Sequence, residues 1–190
     1  GGGATDIDGL SDAKSGGTNF SNSIILGHQT TGTLSNANNN TAVGYGAMDA
    51  VTAGADSVAI GKDAMTTATT SDSSTAVGTS SMSATTTGND NTAVGWRSLY
   101  ANTTGPQNVA VGKSALVANT TGEANTGIGY NAGLAITTGT NNICIGQTAG
   151  DALTTGSNNS ALGTGTAFSA VNVTNEIVIG SGRTGIASNT

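Results

Sequence analysis

Short apolar segments closed by glycine punctuate the chain: SIILG, NTAVG, SVAIG, STAVG, NTAVG, NVAVG, NTGIG, NICIG, NSALG and EIVIG. Their closing residues are Gly27, Gly44, Gly61, Gly78, Gly95, Gly112, Gly129, Gly146, Gly163 and Gly180, each 17 residues after the last. An aliphatic residue always precedes the glycine: Leu26, Val43, Ile60, Val77, Val94, Val111, Ile128, Ile145, Leu162 and Ile179. Residues alternate between the faces of a strand, so in N-T-A-V-G the Thr and Val share one face and the Ala and Gly the other. β-Branched residues suit such a strand, and the closing glycine permits a corner. The larger aliphatic column is the natural candidate for the core. The small Ala/Gly face is then expected to admit a neighbouring protomer.

A second stretch follows each glycine, with Met48, Met65, Met82, Leu99 and Leu116 in one column, and its pattern fits either a strand or a helical turn. A second glycine, usually after two threonines, stands at Gly54, Gly88, Gly105, Gly122, Gly139 and Gly156 and marks another corner. One unit is thus one coil of an all-β solenoid, a parallel β-roll of about ten 17-residue coils. Strands stacked at ~4.8 Å would make a rod of roughly 50 Å. Asn40, Asn91, Asn108, Asn125, Asn142 and Asn159 recur at one position and predict amide ladders along that rod. The organisation expected is a lead-in or cap over 1–22, the solenoid over 23–180, and a segment over 181–190 that runs on into a further coil or domain.

Composition supports a solenoid over a globule. Ile, Leu, Val and Phe together number 32 of 190 residues, whereas Gly alone numbers 30 and the net charge is only −6. A chain this lean buries a core by stacking units rather than by rolling into a ball. No apolar run reaches the ~20 residues of a membrane helix, so no membrane insertion is expected. Five basic residues among eleven acidic ones form no nucleic-acid patch. One cysteine, Cys144, excludes an internal disulfide and a cysteine metal cluster; in the Ala column it reads as a small buried thiol.

Candidate chemistry is thin. His28 is the only histidine and occupies a varied corner column, so no Ser/His/Asp constellation forms around it. Asp6, Asp8 and Asp12 lack the spacing of a calcium loop. No catalytic, cofactor or metal site is assigned, and the chain is not expected to be an enzyme. Tyr45, Trp96 and Tyr130 share the corner column and are the candidates for glycan contact. The paired threonines once per coil raise ice binding as a remote alternative, but adjacent residues on a strand face opposite ways.

The tandem N-S/T-x-A-V/I-G strand resembles the head repeats of trimeric autotransporter adhesins. The run NTAVGWRSLYANTTGPQNVAVGKSALVANTTG is similar to repeats of bacteriophage tail-fibre proteins of the type that ends in an endosialidase-type intramolecular chaperone. DIDGLSDAKSGGTNFSNSIILGHQTTGTL and NEIVIGSGRTGIASNT resemble the segments that flank such arrays. The resemblance implies a homotrimer, a structural shaft in a virion fibre that supports host attachment, and host glycan met through flanking regions. The alternative it implies is the head of a bacterial surface adhesin.

Overall fold

Each repeated segment forms a strand of three residues, and every strand lies on the next. In a computed structural model that describes residues 13–15, 24–26 and 37–185, the strands are β1 (Ala13–Ser15), β2 (Ile24–Leu26), β3 (Thr41–Val43), β4 (Val58–Ile60), β5 (Thr75–Val77), β6 (Thr92–Val94), β7 (Val109–Val111), β8 (Thr126–Ile128), β9 (Ile143–Ile145), β10 (Ser160–Leu162) and β11 (Ile177–Ile179). They form one 11-stranded sheet in sequence order. From β2 to β11 every pair is parallel and joins residues 17 apart, as in Thr92↔Val109 and Val94↔Val111. Only β1 runs antiparallel, folded back on β2. The fold is a parallel β-solenoid of about eight turns, with no helix among the described residues. His28, Gly27, Asp6, Asp8 and Asp12 lie outside the described residues.

The second stretch is neither strand nor helix. Backbone handedness alternates along it: after Gly61 (φ 136) come Asp63 (φ 56) and Met65 (φ 50), and the same signs recur at Ser80 and Met82, and at Arg97 and Leu99. Tight turns close as Ala64 N–H donates to Gly61 O at 3.3 Å and Ala68 N–H to Met65 O at 3.1 Å. The amides between them bond to neighbouring coils, Asp63 N to Tyr45 O on one side and Met65 N to Ser81 O on the other. Positive φ is unfavourable for β-branched side chains. From Met48 to Gly150 the column carries Met, Leu or, at Gly133 and Gly150, glycine; Ala167 and Thr184 continue it where φ is no longer positive.

The core is filled from two sides. Ala42, Ala59, Ala76, Ala93, Ala110, Cys144 and Ala161 point inward from the middle of their strands and are 0% exposed. Met48, Met65, Met82, Leu99 and Leu116 reach across beneath them from the turn stretch, also buried. This corrects the expected core. Val43, Ile60, Val94, Ile128, Leu162 and Ile179 are exposed, and Leu26, Val77, Val111 and Ile145 are half-buried. A three-residue strand turns only its middle residue inward. With a Met or Leu already crossing the narrow interior, that residue has to be small. The Ala face is therefore inside its own chain, and the Thr/Val face is outside.

Size is traded between columns. Where the turn position shrinks to Gly133 or Gly150, the buried position three residues on grows to Ile136 or Leu153. A Cβ placed on Gly133 would lie 2.7 Å from Leu116 Cδ2, and one on Gly127 2.8 Å from Leu116 Cγ. A Cβ on Gly150 would lie 2.6 Å from Cys144 Sγ. Cys144 thus fits an Ala column because its neighbour in the turn column is glycine.

Polar ladders run parallel to the sheet. Asn142 Nδ2 donates to Asn125 Oδ1 at 3.0 Å, as Asn159 Nδ2 does to Asn142 Oδ1. Each Oδ1 also accepts a backbone N–H of the next coil, as Asn125 N to Asn108 Oδ1 at 2.9 Å. Burial is affordable for these amides because donor and acceptor are both engaged. A second ladder, unanticipated, joins Asn119 Nδ2 to Asn102 Oδ1 at 3.1 Å. The hydroxyls of Thr52, Thr69, Thr86, Thr103, Thr120 and Thr137 each donate to the carbonyl of the equivalent threonine one coil on.

Candidate functional site

The outward half of each strand builds a continuous face. From β3 to β11 the outward positions are Thr41/Val43, Val58/Ile60, Thr75/Val77, Thr92/Val94, Val109/Val111, Thr126/Ile128, Ile143/Ile145, Ser160/Leu162 and Ile177/Ile179. Parallel register stacks them into one stripe of β-branched and aliphatic side chains, broken only by Ser160. Val94 is 37% exposed and Leu162 46%. Contiguous apolar stripes of this length are uncommon on the surfaces of monomeric proteins.

Corner residues line the stripe. The column following the strands places Tyr45, Trp96 and Tyr130 in the open, roughly half exposed. Lysine and arginine sit among these rings. Arg97 Cζ lies 5.3 Å from the Trp96 ring centroid and 4.2 Å from that of Tyr100; Lys113 Nζ lies 5.1 Å from Trp96 and 5.6 Å from Tyr130. Tyr100 and the two cations were not singled out in sequence; the 17-residue step, applied to charged residues, is the signal that groups Lys113 with Trp96 and Tyr130. Tyr45 stands apart from this cluster, three coils from Trp96. Arg97 Nε is buried without a hydrogen-bond partner. The rings and cations brace one another across three coils, each such contact contributing about 0.5–1 kcal/mol at an exposed site.

No known family, curated protein or solved structure matches the chain. Function has to be read from the rod itself. Among the described residues no group of three His, Cys, Asp or Glu side chains could hold a metal ion, and no helix is long and apolar enough to cross a membrane. The exposed threonines next to the laddered ones, Thr70, Thr87, Thr104, Thr121, Thr138 and Thr155, form a single file. The inner file spends its hydroxyls on the backbone.

Cys144 is the one thiol, and burial pushes it up to about 12, with the Asp151 carboxylate adding to the effect. The fold therefore prefers the neutral thiol, whereas an unfolded chain ionises it near its ordinary value of 9. Its contribution to stability is complete below pH 9 and is lost as pH rises towards 12, at about 1.4 kcal/mol per pH unit. Urea midpoints measured between pH 8 and pH 11 should fall more steeply for the natural chain than for Cys144→Ala, which restores the residue common to that column.

Proposed function

We propose that the chain is a structural shaft segment of a homotrimeric virion fibre, held together through the outward stripe and holding other parts of the fibre away from the particle. The observation that carries this reading is the stripe itself, apolar on every strand from β3 to β11 and uncovered in the single chain. With flanks it is about 40 Å long and about 20 Å wide, on the order of 800 Å², the area each partner gives to a standard stable interface. The likeness of the repeats to phage tail-fibre sequences favours three copies and a fibre. Repetition supports a mechanical role, since coils are fastened to one another by backbone bonds, a threonine ladder and, from Asn91 to Asn159, an asparagine column, all along one direction. Contact with host glycan falls to regions beyond the shaft.

Light scattering with small-angle X-ray scattering on the purified chain tests the reading. A rod of about three times 18.2 kDa is expected; an 18.2 kDa monomer at micromolar concentration overturns it. Val94→Asp sharpens the test. At an exposed position the substitution costs the isolated chain little, within about 1 kcal/mol. In the assembly it buries an unpaired carboxylate in each copy, at a cost of about 3 kcal/mol or more. The variant should keep its strand signal in circular dichroism and sediment as a monomer.

A further inference from the structure

Charge is divided by the stripe. Because strands β3 to β11 are parallel and in register, every corner preceding a strand lies along one side of the stripe, and every corner following a strand along the other. The three residues before each strand from β3 to β11 include Asp56, Asp72, Asp90, Glu123 and Glu176 and no lysine or arginine. The two residues after each closing glycine include Lys62, Arg97 and Lys113, with Asp63 the single acid. Lys62 meets that acid within the chain, Nζ to Oδ2 at 3.6 Å. Arg97, Lys113, Asp90 and Glu123 have no ion-pair partner among the described residues. The flanks differ in sign, and their charges lie at the same level or one coil apart. Asp90 and Arg97 bracket β6, Lys113 follows β7, and Glu123 precedes β8.

Handedness limits how two such faces can meet. If two copies face each other with their stacking directions parallel, their strands must run oppositely, and the following flank of one copy lies against the preceding flank of the other. If the stacking directions are antiparallel, the strands run the same way and like flanks meet. The second arrangement sets lysine and arginine against lysine and arginine, and carboxylate against carboxylate; the first sets Arg97 level with Asp90, and Lys113 within one coil of Glu123. Like charges juxtaposed at an interface cost several kcal/mol and so exclude a partner orientation. Trp96 and Tyr130, placed on the following flank with the cations, are residue types enriched where interfaces close.

The geometry points to a second copy of this chain as the occupant of the face, parallel and in register, with Arg97 and Lys113 of one copy set against Asp90 and Glu123 of the next. This rests on the self-association proposed above and supplies its direction and register. The same rule holds for three copies turned towards a common axis parallel to the rods, where each copy gives its cationic flank to one neighbour and its acidic flank to the other.

Charge reversal followed by rescue is the test, read by sedimentation of the whole chain. Arg97→Glu with Lys113→Glu should weaken association at least tenfold, and adding Asp90→Lys with Glu123→Lys to the same chain should restore it. Trp96 is the only tryptophan, so its emission should move to the blue on assembly, fail to do so in the double variant, and recover in the fourfold one. Lys113→Glu with and without Glu123→Lys carries the same logic at exposed positions should the larger variants fold poorly. Association that ignores the reversal, or is not restored by the swap, overturns the inference. A natural chain that is monomeric sinks the self-association itself; an assembling chain indifferent to these charges sinks only this orientation.

Discussion

Gly95→Ala should open the solenoid between β6 and β7 and lower the urea midpoint of the whole chain. Gly95 has φ +135, a conformation that L side chains rarely adopt, and a Cβ there would lie 2.6 Å from the carbonyl oxygen of Gly112. Neither neighbour can yield, because that oxygen belongs to the equivalent corner of the next coil rather than to a flexible side chain. Backbone strain of this kind costs about 1–3 kcal/mol by itself, and the contact adds to it, so a loss of about 4 kcal/mol is expected. Gly182 provides the control. It also has positive φ, yet a Cβ there would meet nothing within 4 Å, so Gly182→Ala should cost about 1 kcal/mol. Equal losses at the two sites would mean that conformation alone, and not the approach of successive corners, sets the requirement for glycine.

Asn108→Leu should be as damaging through unmade hydrogen bonds. Asn108 is completely buried and works in three directions. Its Nδ2 donates to Gly122 O at 2.9 Å, to Pro106 O at 3.1 Å and to Asn91 Oδ1 at 3.2 Å, while its Oδ1 accepts Asn125 N–H at 2.9 Å. Gly122 O retains the amide of Asn119 at 3.0 Å. Asn125 N–H retains nothing. One stranded buried donor costs about 1–3 kcal/mol, and the lost amide bonds bring the expected destabilisation to about 4 kcal/mol by equilibrium unfolding. Asn108→Ser should cost less than half as much, since Ser57 and Ser74 already hold this position in other coils, where Ser57 Oγ accepts Ser74 N–H at 3.1 Å.

These residues show what the sequence displays and what it hides. The repeat, the strand ends and the amide ladder were legible, because glycine, the Ala-Val pair and asparagine each recur at 17-residue intervals for separate physical reasons. The choice of inner face was not. Transfer free energy ranks Val94 above Ala93 as a core residue, yet the interior of a coil this narrow is already occupied by Leu99. The decisive signal lay in the second stretch, where the column from Met48 to Gly150 is buried and admits Met, Leu and Gly but no β-branched residue. That is the mark of positive φ rather than of strand or helix. The Asn102–Asn119 ladder was visible at the same spacing but confined to two coils. The division of charge between flanks acquires meaning only once the Val face is known to be the outer one, since Asp90 and Arg97 are seven residues apart in no recognisable motif.

Near-identical coils face a hazard that unique sequences escape. A strand can dock on a neighbour one unit too far and still find the same glycine corner, the same asparagine and the same threonine. Slippage of this kind would delete or trap a coil with almost no penalty from the ladders. The glycine-rich block around β8 and β9 acts against it. Leu116 needs Gly127 and Gly133 above it, Cys144 needs Gly150, and neither partner set is offered by the coils below. Such a block indexes the stack, so that nine chemically similar surfaces have one admissible order.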